Sequence, residues 1–337
     1  VLYSRGGDGA FIRKPLYLIK AMGDIDNDVI IVGKHSDESP EAADDRWTGR
    51  REMTTIVKGE PCTLHLPGDV TLEMVWIPPG EFDMGSPGEE IENLCGEYDY
   101  IGETFNPFRC EAPRHKVRIT HGFWIGRFEV TQSQWQTVMD NNPSIFKKGM
   151  DGVPPDTGTY PVENVSWDDC KKFLEKLSRG IVHNCRLPTE IQWEYACRAG
   201  TTSRYTWGDE FTADGTSNIE NAVDNFGNAE KNSSVFKQKG FPVGSTMPAG
   251  SLQPNAWNLY DMHGNVREWC RDWYSVTCYR DGLVDDPAGP ESGTERVVRG
   301  GSWNTEAALS RSAARHSGTT DMRLDDVGFR IVIEPKE

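Results

Sequence analysis

A chain of 337 residues with 36 Lys and Arg against 52 Asp and Glu carries a formal net charge of −16. That balance argues against nucleic acid as a partner, because phosphate binding needs a surplus of basic residues, and against docking on anionic lipid. No stretch reaches the roughly 18 apolar residues of a membrane span, so membrane insertion is not expected.

Residues 1–65 read as an N-terminal extension or linker. They are charge-rich with little periodicity, and only Val29–Val32 reads as a strand. The sequence opens Val1-Leu2-Tyr3 without an initiator Met, and no basic segment followed by an apolar run marks a signal peptide. A removed leader and a fragment are the two readings; a secreted or cell-surface setting is expected ahead of a cytoplasmic one. Residues 66–337 read as one domain. Thr71–Ile77 alternates as a strand, Pro78-Pro79-Gly80 turns it, and 82–86 forms a short second strand. Residues 87–114 read as an acidic loop, and 117–120 and 123–130 as strands.

Three helices are signalled by their N-termini. Thr131 with Gln134 has the capping-box pattern, followed by Trp135, Val138 and Met139 on one face. Ser166 with Asp169 starts a second helix, lined by Cys170, Phe173, Leu174 and Leu177. Thr189 with Gln192 starts a third, which turns Trp193, Ala196 and Cys197 inward. After Gly200 the helical signal fades, and short strands are expected near 296–299 and 328–333. Eleven Trp and 34 Gly suit a loop-rich domain whose indoles fill gaps between irregular segments.

The eight cysteines are Cys62, Cys95, Cys110, Cys170, Cys185, Cys197, Cys270 and Cys278. None form a C-x-x-C pair, so a zinc ribbon or thioredoxin-type site is not expected. Cys95 with Cys110, or Cys270 with Cys278, could close short loops. Cys170 and Cys197 fall on apolar helix faces, where a thiol behaves as a small hydrophobe, and mostly free, buried thiols are expected.

A series of segments occurs in a telling order: MVWIPPGEFDMGS at 74–86, EVT at 129–131, PVENVSW at 161–167, RLPTEIQWEY at 186–195, NAWNLYDM at 255–262, HGNVREW at 263–269, RGGSW at 299–303 and GFR at 328–330. Together they resemble the formylglycine-generating enzyme family, also called sulfatase-modifying factor domains. The resemblance implies an α+β, C-type-lectin-like fold that is low in regular secondary structure.

The family's enzymes oxidise a substrate cysteine through two active-site cysteines that bind copper(I). The pair lies three and eight residues after the Ser of the Gly-Gly-Ser-aromatic motif. Counting from Ser302 gives Thr305 and Ser310, and no cysteine follows Cys278. A hydroxyl is too hard and too weakly acidic to replace a thiolate on copper(I), so copper is not expected. The resemblance also includes iron sulfoxide synthases, but the seven His include no H-x₃-H-x-E arrangement.

The resemblance places a Ca²⁺ site at Asp261, Gly264, Val266 and Glu268, two carboxylates and two carbonyls of the hard-oxygen kind calcium prefers. The competing reading is that Glu268 pairs with an arginine and Asp261 caps a turn. A second family calcium site would use Asn218 and Ile219, but its other ligands have no match. In retroelement-diversified proteins of this fold, the stretch matching 303–327 is the variable ligand-binding surface. Trp303, Thr305, Glu306, His316, Ser317, Thr319 and Met322 are therefore the expected contacts for a protein or glycan ligand. Arg311 and Arg315 are expected to pair with internal carboxylates.

Other residues are assigned to structure. Trp193, Trp257, Trp269 and Trp303 are expected to pack rather than stack on sugars, and His263 is expected to be a satisfied structural residue. Glu190 and Glu194 read as favourable charges at a helix N-terminus. The expected function is a non-catalytic, calcium-stabilised ligand-binding module, in its most specific form a retroelement-diversified variable protein. The alternatives are a divergent formylglycine-generating oxidoreductase acting on a sulfatase cysteine and a purely structural surface protein.

Overall fold

Strands and helices arise where the alternation and the caps place them. The computed structural model describes residues 54–98, 106–149, 153–180, 185–209 and 244–335 except 252, 280 and 281, together with the backbone of three short strands before residue 33. In chain order the strands begin with β1 (Leu2–Arg5), β2 (Phe11–Lys14), β3 (Val29–Val32), β4 (Thr54–Val57), β5 (Cys62–His65), β6 (Thr71–Ile77) and β7 (Gly80–Met84). They continue with β8 (His115–Ile119), β9 (Phe123–Gly126), β10 (Cys185–Arg186), β11 (Arg267–Trp273) and β12 (Val284–Asp285). The last are β13 (Glu295–Arg299), β14 (Arg315–Thr319), β15 (Val327–Gly328) and β16 (Val332–Ile333). The helices are α1 (Gly88–Glu97), α2 (Gln132–Met139), α3 (Trp167–Gly180) and α4 (Glu190–Arg198).

The central sheet runs β10-β16-β9-β6-β5, every neighbour antiparallel. A second sheet runs β14-β13-β11-β15, with β11 and β15 parallel. A third, β12-β8-β7, shares no strand pairing with either but packs its apolar side chains in one cluster with both, and β1-β2 and β3-β4 form separate antiparallel pairs. Because β5 pairs with β6 and Ile56 is wholly buried in the main core, chain before residue 66 contributes to the central sheet's packing.

Two apolar clusters fill the space between these layers. In one, Trp135 of α2 stacks on Phe173 of α3 at 5.3 Å, and Phe329 meets both edge-on. In the other, Trp193 of α4 packs with Ile125, Leu259 and Val297. The fully buried indoles find acceptors: Trp193 Nε1 donates to Glu268 at 2.8 Å and Trp269 Nε1 to the Val165 carbonyl at 3.0 Å. All three helix starts hold. Thr131 with Gln134 and Thr189 with Gln192 form full capping boxes, and Ser166 and Asp169 exchange reciprocal bonds of 3.2 Å.

Three expectations need correction. The acidic loop expected over 87–114 contains α1, whose Ile91 and Leu94 are buried against Phe108. Its start has Pro87 and no side-chain cap, so the usual signal was missing. β14 forms inside the 303–327 stretch, where no strand was expected, because its whole length pairs with β13. Glu190 does lie in the first turn of α4, as expected of a favourable helix N-terminal charge, but Glu194 lies a turn further on, and both are buried in ion pairs.

Their partners explain the burial. Glu190 takes Arg315 in two bonds of 2.6 and 2.8 Å and lies 3.4 Å from Arg299. Glu194 accepts from Arg299, from Arg198 at 2.9 Å and from the Gly85 N–H at 2.9 Å. Burial alone would raise the Glu190 carboxyl, but Arg315 and Arg299 outweigh it and hold Glu190 below the usual carboxylate range. Arg311 binds Glu111 at 2.6 Å and Glu90 at 2.9 Å, and Arg330 binds both oxygens of Glu268 at 2.6 Å. Removing one partner from such a pair leaves an uncompensated buried charge. Glu194→Gln is therefore expected to lower unfolding free energy by about 3–5 kcal/mol. Glu81→Gln, which removes an exposed partner of Arg118, should change it by less than about 1 kcal/mol. Urea denaturation of both variants measures the contrast.

Candidate functional site

Strand β13 delivers the chain into Gly300-Gly301-Ser302-Trp303. Gly300 has φ +80, and a Cβ at Gly301 would collide with Ser310 Oγ, so the turn folds the segment after Ser302 back onto the glycine pair. Ser302 Oγ lies 2.6 Å from Thr305 Oγ1 and donates to Asp326 Oδ2 at 2.9 Å. Arg267 holds Asp326 through both carboxylate oxygens, at 2.8 and 2.7 Å. Ser310 Oγ donates to the Glu306 carbonyl at 3.1 Å. Both positions expected to replace the copper cysteines are thus buried hydroxyls engaged in hydrogen bonds.

All eight cysteines are free thiols. Cys197 approaches the back of the turn, 3.7 Å from His263 Nε2. His263 is buried; its Nδ1 pairs with the Ser310 carbonyl at 2.9 Å, and its Nε2 accepts the Thr206 N–H at 3.2 Å. Burial pushes the Cys197 thiol up to about 12 and the His263 imidazole down to about 4. Without a bound metal the pair is a neutral thiol beside a neutral imidazole. His263 is the structural residue expected.

The seven expected ligand contacts do not form one surface. Glu306 and Thr319 are exposed; Trp303, His316, Ser317 and Met322 are half-buried; Thr305 is buried. Strand alternation puts His316 on the face of β14 opposite Ser317 and Thr319. His316 Nε2 meets the Leu309 carbonyl at 2.9 Å, and burial with nearby Arg267 brings its imidazole down to about 4. Ser317 donates to Glu295 and Thr319 to Asp321, while Met322 lies against the main core. Arg311 and Arg315 pair internally, as expected.

Trp303 leads to residues that the sequence did not single out. It meets Phe146 edge-on at 5.2 Å, and its Nε1 donates to the Asp325 carbonyl. Ile145 and Leu324, the chain neighbours of Phe146 and Asp325, are 41% and 38% exposed. Beneath them Glu163 is wholly buried; its Oε1 accepts the Phe146 N–H at 2.8 Å, and its Oε2 has no hydrogen-bond partner among the described residues. Burial pushes the Glu163 carboxyl up to about 7. Its place in the PVENVSW segment was the available signal; the neighbouring exposed apolar residues lie in unpatterned loops.

At the expected calcium positions, Glu268 is occupied by Arg330 and Trp193, as the competing reading had it. Asp261 lies in a left-handed turn, φ 60, and accepts the Gly250 N–H. A third carboxylate joins them. Glu129 accepts from Asn265 Nδ2 at 2.9 Å and the Val266 N–H at 3.2 Å. Burial first, then Asp261 and Glu268, push Glu129 well above the usual carboxylate range. Three buried carboxylates therefore face the single guanidinium of Arg330. Among the described residues, side chains alone do not close a metal site of three such groups, so a cation here would need backbone oxygens too. Asn218 and Ile219 lie outside the described residues.

The sulfatase-modifying factor enzyme 1-like domain model matches residues 67–335, the span that builds the second sheet, four of the five strands of the central sheet and the four described helices. The chain belongs to this family. It is 28% identical over 311 residues to the formylglycine-generating enzyme of Thermomonospora curvata, covering 80% of this chain and 96% of that one. It is 38% identical over 177 residues to that of Streptomyces coelicolor, spanning about half of each chain (51% and 52%). Among solved structures it resembles Treponema denticola variable protein 1, with 26% identity, a TM-score of 0.63, and coverage of 82% of this chain and 99% of that one. PvdO from Pseudomonas aeruginosa is similar at 26% identity and a TM-score of 0.58, covering 78% and 94%. The family fold is the α+β, C-type-lectin-like arrangement expected from the motifs.

Glu163 gives this family member a pH signature. With its folded value near 7 and its usual value near 4.5, the native state holds the extra proton between those limits. Its contribution therefore makes stability fall as pH rises from about 4.5 to about 7, and the cost is full above that range. Glu163→Gln should remove this slope and stabilise the protein at pH 8 by about 1–3 kcal/mol. Denaturation midpoints at pH 5 and pH 8 provide the check.

Proposed function

We propose that this domain is a non-catalytic member of its family, a calcium-stabilised module that binds a protein or glycan ligand on the surface of 303–326. The observation that carries the reading is the chemistry at Thr305 and Ser310. Both are hydroxyls already committed to hydrogen bonds with Ser302 and the Glu306 carbonyl, and copper(I) needs soft thiolates. The likeness to a variable protein over nearly all of that chain supports a binding role. The contacts would come from Glu306 and Thr319, which are exposed, with half-exposed Trp303 and Ser317, while Thr305, His316 and Met322 are held by the fold and would take no direct part. Phe146, Ile145 and Leu324 extend the surface beside Trp303.

Calcium fits the charge of the Glu129, Asp261 and Glu268 cluster. Three carboxylates against one arginine leave negative charge that a divalent cation would neutralise, with the carbonyls of Gly264 and Val266 as additional hard oxygens. Its role would be to fix the turn 261–266, which lies directly before β11 and the Asp326 contact of Arg267. The alternative, formylglycine synthesis on a sulfatase cysteine, draws support from the identity to enzymes of that name.

Two measurements test the reading. Copper(I) competition titration combined with a Cys-x-Pro-x-Arg peptide assay is expected to show no oxygen uptake and no formylglycine; copper-dependent oxygen uptake with peptide conversion would establish the enzyme instead. Millimolar calcium is expected to raise the melting temperature by a few degrees, about 1–3 kcal/mol of binding linkage. Asp261→Asn should abolish that shift. An unchanged melting temperature in the parent protein removes calcium from the account.

A further inference from the structure

A pocket of about 740 Å³ lies away from the 303–326 surface, none of whose residues line it. Its walls come from the β8–β9 turn, the first turn of α4, the segment 286–288 and the chain end at 334–335. Ile119, Ile191, Pro287 and Ala288 make much of the lining apolar, while Arg271 of β11 and Lys58 supply positive charge. The volume falls within the range of about 300–1,000 Å³ typical of small-molecule sites.

The state of the charged groups separates this pocket from an ordinary surface depression. Its two acids are already committed. Glu334 accepts from Arg186 at 2.7 Å and Gln192 at 3.0 Å, and Asp286 accepts from the Thr120 N–H at 3.0 Å and the Thr120 hydroxyl. Arg271 is half-buried and has no carboxylate partner among the described residues. Every other described arginine that is buried or half-buried has one, from Arg114 to Arg330, except Arg296. Arg296 lies instead against the faces of Trp167 and Trp273, at 4.0 and 3.4 Å. In a protein of net charge −16, a half-buried guanidinium that lines a partly apolar pocket without an ion pair of its own, its nearest acid being its chain neighbour Asp272, is available to a ligand.

We infer that this pocket binds a carboxylate carried on an apolar body, with Arg271 as the anchoring residue. A planar guanidinium pairs bidentately with a carboxylate. The committed carboxylates of Asp286 and Glu334 on the same walls oppose a dianion, which favours a singly charged acid over a phosphate. The same chemistry is offered by a free organic acid and by the C-terminus of a peptide that ends in an apolar residue.

Isothermal titration and saturation-transfer NMR with 3-phenylpropionate, its neutral amide, and the peptide acetyl-Gly-Leu-Phe as free acid test the inference. At least one acid is expected to bind with the amide at least tenfold weaker. Arg271→Gln should weaken the acid at least tenfold at an unchanged melting temperature, and Arg271→Lys should retain part of the binding. Preference for the peptide assigns the site to a chain terminus, and preference for 3-phenylpropionate to a free acid. Absence of binding by both acids at millimolar concentration overturns the inference, as does equal binding of acid and amide. The amide comparison uses the parent protein, so it decides the matter even if the Arg271 variants fail to fold.

Discussion

Buried pairing between arginine and glutamate is the constraint on which the rest of this structure depends. Glu190 and Glu194 enter the core one turn apart on α4, and Arg299 and Arg315 reach them from the two neighbouring strands β13 and β14. Arg311 binds Glu111, and Arg330 binds Glu268 on β11. Each charge pays heavily in lost hydration, which only close, multidentate partners can offset. The arrangement therefore tolerates very few alternative placements. A domain with short strands and long irregular connections gains from it what regular secondary structure would otherwise supply, a unique course for the chain.

The same pairs divide the segment after Ser302 into two kinds of residue. Arg311 and Arg315 are committed inward, as are Thr305 and Ser310 through their hydroxyls. Glu306 and Thr319 face solvent, and Trp303, His316, Ser317 and Met322 are half-exposed. Glu306 comes nearest to a side chain that holds nothing else in place, and Ser317 and Thr319 make one local contact each, with Glu295 and Asp321, so a change at these positions disturbs far less than a change at a buried ion pair. Where a family enzyme would place two soft thiolates, this chain has hydrogen bonds that close the turn.

Much of the fold was legible because its signals are local. Thr131, Ser166 and Thr189 announced their helices through partners three residues away, and each cap formed. The ordered motifs carried the family. What escaped had no local signal. Helix α1 starts at Pro87 without a cap, and β14 owes its strand character to pairing with β13 rather than to its own alternation. The ion pair of Glu190 escaped because its partner Arg315 is 125 residues further along the chain. In the segment proposed as the binding surface, the facing of its side chains was not legible. His316 and Ser317 are sequence neighbours on opposite faces of β14, and Phe146 joins Trp303 from a loop more than 150 residues earlier.

The central claim is that internal ion pairs fix the 303–326 segment while its outward side chains are free to vary. Saturation mutagenesis of these residues, read by protease resistance of the displayed protein, tests it most directly. The account predicts that nearly every substitution is tolerated at Glu306 and Thr319, and that Arg311 and Arg315 accept almost none, Lys included. Equal tolerance at the two pairs of positions would contradict it.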